Sequence, residues 1–144
     1  MDLYEQVVQT HLTVFERLAL IPQFPVLFDD KDEPWVEGCK VAWSAYPDFL
    51  ALCLLGKREA QIIEVSKARQ SAKARELVEA MCANREKMER YIRWFVGDDF
   101  EISWRFFVRE ANKDTRIRQL QAKGIPPNVT ALEELFDKLK RVMP

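Results

Sequence analysis

Asp48 and Glu64 are the acids whose surroundings best suit chemistry. Asp48 follows Pro47 and opens an apolar run from Phe49 to Leu55. Glu64 sits inside a second run, Gln61-Ile62-Ile63-Glu64-Val65, and Lys67 follows three residues later. A carboxylate among β-branched neighbours is costly to bury without a partner. Two carboxylates a few ångströms apart can share a hard divalent cation, which takes oxygen ligands. Such a cation lowers the pKa of a bound water and offsets charge on a phosphate. A neighbouring lysine would orient that water or stabilise the developing charge. Asp48 and Glu64 are therefore the candidate metal ligands, and Asp48, Glu64 and Lys67 the candidate catalytic set.

Other chemistries lack their residues. The one histidine, His11, falls on the apolar side of a helical pattern and reads as a packed residue. Zinc sites of the usual Cys and His spacing are excluded. The four glycines are scattered singly, so no phosphate loop occurs, and there is no G-x-S-x-G elbow. Cys39, Cys53 and Cys82 are odd in number and form no C-x-x-C. They read as reduced thiols in or near the core, which points to a reducing compartment and a cytoplasmic location. The first twenty residues have no basic start and no long apolar run, so neither a signal peptide nor a membrane span is expected.

Charge is unevenly spread. Residues 1–50 carry nine acids and three bases, whereas residues 51–144 carry nineteen bases and fourteen acids. That polarity suits a nucleic-acid face, and equally a self-complementary pair of chains. Lys67, Arg69, Lys73 and Arg75 gather where a helix should begin, and cations there are unfavourable unless an anion offsets them. Arg105 and Arg109, with Arg116 and Arg118 beyond, are further candidates for contact with a phosphate backbone.

The elements that must position these residues follow from periodicity. Leu3, Val7, Val8, His11, Leu12, Phe15 and Leu18 recur at helical spacing and predict a helix over 3–20. A polar excursion with an extended piece, Phe24 to Phe28, leads to Gly38. Strands are expected at 39–46, 49–55 and 61–65, in an antiparallel meander. A turn centred near 57 would set Glu64 opposite residue 50 or so, two residues from Asp48. A long amphipathic helix should run through 71–95 and stop at Gly97. Alternation over 100–109 marks a half-buried strand with arginines outward. A short helix over 113–123 stops at Gly124, and Thr130-Ala-Leu-Glu133 reads as a capping box for a last helix. The expected order is α-β-β-β-α-β-α-α. This is one mixed α/β (α+β) domain over 1–144 with a single mixed sheet of about four strands flanked by helices. Its core spans about 3–109, and a helical extension about 113–142. At 144 residues the chain can bury roughly 70% of its unfolded surface without staples.

Pro47-Asp48 … Glu64-x-x-Lys67, together with that order of elements over about residues 3–109, resembles the PD-(D/E)xK nuclease superfamily, the restriction-endonuclease-like fold. The resemblance implies Mg²⁺-dependent (or Mn²⁺-dependent) hydrolysis of DNA phosphodiester bonds and an acid from the first helix, for which Glu5 and Glu16 are the positions. It also implies that a homodimer is open. The chain departs from the pattern at the lysine. The family places Lys two residues after the acid, where this chain has Ser66. On a regular strand Glu64 and Ser66 share a face and Lys67 takes the other. A bulge at Ser66 would bring Lys67 back; otherwise Lys40, Lys57 or Lys73 supplies the amine, or catalysis is lost. The alternatives are therefore an inactive nuclease-fold binding or assembly module, and an unrelated α+β homodimeric interaction domain.

Overall fold

The computed structural model describes residues 1–67 and 71–143, and for Ser71, Lys73, Ala74 and Leu77 the backbone alone. Asp2 caps helix α1 (Leu3–Thr10), its carboxylate accepting the Glu5 N–H at 2.9 Å. The helical spacing continues beyond Thr10, but the helix does not run to residue 20. It widens into a π turn, His11–Phe15, and ends where Arg17 takes a left-handed backbone, φ 56°. Ala19–Pro22 then form strand β1, which pairs antiparallel with β4 (Phe49–Cys53). Edge pairing with β4 overrides the helical pattern here.

The sheet therefore has more strands than the sequence pattern suggests. β5 (Glu59–Ser66) pairs antiparallel with β4, turning at Gly56 (φ +81°), whose conformation favours glycine. β6 (Glu101–Val108) lies parallel to β5, and β7 (Val129–Ala131) parallel to β6. The architecture is α+β, with a mixed five-stranded sheet in the order β1-β4-β5-β6-β7. A separate two-stranded sheet joins β2 (Val26–Phe28) to β3 (Trp43–Ala45), so the strand expected at 39–46 keeps only its last part.

The parallel crossover from β5 to β6 runs through two helices rather than one. α2 (Ser71–Ala83) and α3 (Arg85–Val96) meet at Asn84, whose side chain bonds back to the Ala80 carbonyl at 2.9 Å. Gly97 ends α3 as expected. α4 (Lys113–Ala122) stops before Gly124, and α5 (Leu132–Val142) follows β7 directly. Thr130 is thus a strand residue, not a cap. The Glu133 carboxylate instead accepts the Glu110 N–H at 3.1 Å.

Both faces of the sheet are covered. Phe49, Ala51, Ile63, Val65 and Phe107 pack with Val7, Val8 and Leu12 on one side and Leu132 and Leu135 of α5. Leu50, Ala60, Ile62, Trp104 and Phe106 pack on the other with α2, α3 and Leu120 of α4. Each Val, Leu, Ile or Phe side chain among these contributes about 1.5–3 kcal/mol on full burial. The face of β6 that alternation marks as outward is therefore an inner face, and Arg105 and Arg109 lie beneath helices. Of the three free thiols Cys39 is exposed, not in the core.

Lys87 ties the small sheet to α3. Its Nζ lies 4.8 Å from the Phe28 ring centre, 4.7 Å from that of Trp43 and 2.8 Å from Asp32. Lys87→Met keeps the aliphatic stem but removes both cation–π contacts. The variant should lose about 1 kcal/mol in urea unfolding.

Candidate carboxylate site

The β4–β5 ladder positions the acid pair. Phe49 faces Ile63, so one further step sets Asp48 opposite Glu64, two residues from the expected partner because the hairpin turns at Gly56. Pro47 lacks an N–H and ends the ladder there. The Asp48 carboxylate takes over, accepting the Val65 N–H at 2.7 Å, while its carbonyl accepts the Gln23 N–H at 2.8 Å. Asp48 is fixed from both sides.

Glu64 lies within hydrogen-bonding reach of Asp48. Burial pushes its carboxyl well above the usual range. The Asp48 charge and hydrogen bond push the same way, and among the described residues Arg116 pulls it back. Glu64 also forms part of the wall of a cleft of about 200 Å³, with Tyr46, Pro47, Ala80, Met81, Asn84 and Met88.

The rest of the expected set lies elsewhere. Lys67 leaves β5 on the face of Val65 and pairs with Asp2, its Nζ 3.8 Å from Glu5. Ser66, at the family's lysine position, shares the Glu64 face and is buried. Strand alternation thus keeps Lys67 and Glu5 together beside α1, apart from the carboxylate pair. Lys57 is bound to Glu101 at 2.7 Å. Arg69 lies outside the described residues, as does the Lys73 side chain.

Glu16 has its own partners. Both its oxygens accept from Arg105 at 2.7 Å, and His11 Nε2 stands 2.6 Å away. Burial opposes ionisation, but the hydrogen bonds and charges of His11 and Arg105 outweigh it and hold the Glu16 carboxyl at about 2. Arg109 donates to the Tyr4 hydroxyl at 3.0 Å and lies 3.6 Å from Glu133. Arg105 and Arg109 are therefore engaged within the fold.

The residue missed by sequence reasoning is Arg116 as a neighbour of Glu64. It is 2% exposed and lies over the Phe106 ring at 5.7 Å. Its signal was the helix face it shares with Leu120, four residues on. Among the described residues no group of three or more His, Cys, Asp or Glu is arranged to hold a metal. Mg²⁺ is often held by one or two carboxylates with water and substrate phosphates, so a pair of acids is a smaller set than such a group. Among the described residues, no helix is long and apolar enough to cross a membrane.

Comparison with family models, with curated proteins and with solved structures finds no match. The class defined by the coordinates is an α+β protein whose mixed sheet carries a carboxylate pair at the edge of a cleft.

Proposed function

We propose that the chain is a restriction-endonuclease-like, metal-dependent endonuclease acting on DNA, with Asp48 and Glu64 as its ligand pair. The observation supporting this reading is the register that sets the two carboxylates face to face at a strand end. Mg²⁺ or Mn²⁺ bound there would supply an acidified water and charge for a phosphate oxygen. Asp48 orients the pair through its bond to Val65, and Glu64 presents its carboxyl to the cleft.

One observation favours a second reading, the same fold binding without cleavage. Lys67 is held by Asp2 and Glu5, and among the described residues the base whose charge acts on Glu64 is the buried Arg116. Thermal melts with and without Mg²⁺ and Mn²⁺, on wild type and Glu64→Gln, test the metal site. A ligand of the native state raises the melting temperature by mass action. The expected result is a metal-dependent rise in wild type that Glu64→Gln loses. Equal curves in all conditions would remove the metal-site reading.

A further inference from the structure

We propose that Tyr46 is a stacking platform for an unpaired base, so that the strand entering the carboxylate cleft is single-stranded. This rests on the nuclease reading and names its substrate class.

Tyr46 is 60% exposed, yet its backbone is held. Ala45 before it is paired with Val26, and Pro47 after it is buried and fixed in φ. Among the described residues the ring has no aromatic or hydrogen-bonding partner. It lines the same cleft as Glu64. An aromatic side chain on a held backbone, in the cleft that Glu64 also lines, is an arrangement suited to a nucleobase, because every base has a π-face.

The cleft size selects the form of the strand. At about 200 Å³ it is smaller than the roughly 300–1,000 Å³ of sites for drug-sized ligands. It has room for a single base rather than for a stacked pair. The wall opposite is built by α2 and α3 through Ala80, Met81, Asn84 and Met88. Bases in a duplex are stacked on one another and present only their edges in the grooves. An unpaired base offers its whole face to Tyr46.

Fluorescence anisotropy with labelled single-stranded and duplex 16-mers, in Ca²⁺, tests the inference. Wild type should bind the single strand more tightly than the duplex. Tyr46→Ala should weaken single-strand binding about 5- to 150-fold, and Tyr46→Phe should retain it. Equal single-strand binding by Tyr46→Ala and wild type would overturn the inference, as would preference for the duplex. A metal-dependent melt without binding of either oligonucleotide overturns it while leaving the metal site standing. Loss of both signals removes the nuclease reading with it.

Discussion

Asp48→Asn is expected to lower Mg²⁺-dependent DNA cleavage about 10³-fold while leaving the protein folded. The carboxylate does two things, and asparagine separates them. Its structural task is to accept the Val65 N–H where β4 leaves the ladder. Asparagine keeps an acceptor oxygen for that bond. The lost property is charge, which the proposed cation needs, and removing one such group from a reacting centre typically costs about 10²–10³ in rate. Relief of repulsion acts in the opposite direction on stability. Glu64's raised pKa makes the wild type less stable as pH rises from 4.5 toward the native value, because deprotonation leaves a charge buried and, beyond that, sets it beside the Asp48 carboxylate. Asp48→Asn should lessen that loss. Asp48→Ala, by contrast, leaves the buried N–H unmet and should cost about 1–3 kcal/mol. Plasmid and oligonucleotide cleavage with parallel melts read both effects. Unchanged cleavage by Asp48→Asn would sink the proposed function.

Arg105→Gln is expected to remove about 1 kcal/mol of stability at neutral pH and to flatten the acid limb of the stability curve. Glu16 is held at about 2 against an ordinary 4.5, which corresponds to about 3 kcal/mol at full strength. A Glu16 side chain 30% exposed is partly screened by solvent, which reduces this to about 2 kcal/mol, and His11 shares the lowering, which leaves about 1 kcal/mol to Arg105. The sign follows from proton binding. Between pH 4.5 and 2 the unfolded chain holds a proton on Glu16 that the native chain lacks. The contribution is whole above 4.5 and disappears as pH falls through 2. Without Arg105 the native value moves back toward 4.5, so the difference between variant and wild type should shrink steadily below pH 4.5. Urea midpoints at pH 7, 4 and 2.5 measure it. A constant difference at all three would show that Arg105 acts through packing alone.

The sequence made some of this legible and hid the rest for physical reasons. β4 and β5 announce themselves by apolar runs flanking Gly56, and placing the turn one residue late shifts the partner of Glu64 by two. The position of Lys67 was readable by parity, since Glu64 and Ser66 share a face and no bulge intervenes. β1 was hidden because Leu18 continues a helical pattern into four residues that pair only once β4 offers an edge. β7 was hidden because three residues carry too little periodicity, and Thr130-Ala-Leu-Glu133 imitates a cap. Arg105 and Arg109 read as outward because alternation cannot reveal that α1 and α5 cover that face. Arg116 was hidden because a charge on a short, polar helix looks solvated.

α5 shares a cluster with α1, the Tyr4 and Phe136 rings meeting at 5.8 Å, and β7 pairs with β6. The stretch after residue 109 is thus no appendage, and the order of synthesis gains a consequence. A ribosome delivers α1, β4, β5 and β6 early, but one face of that sheet stays partly bare until Leu132 and Leu135 emerge. A nascent chain halted near residue 120 would expose Phe49, Ile63 and Phe107 to water and to other chains. That face is completed by α5, so its burial comes after the β4–β5–β6 ladder can already form.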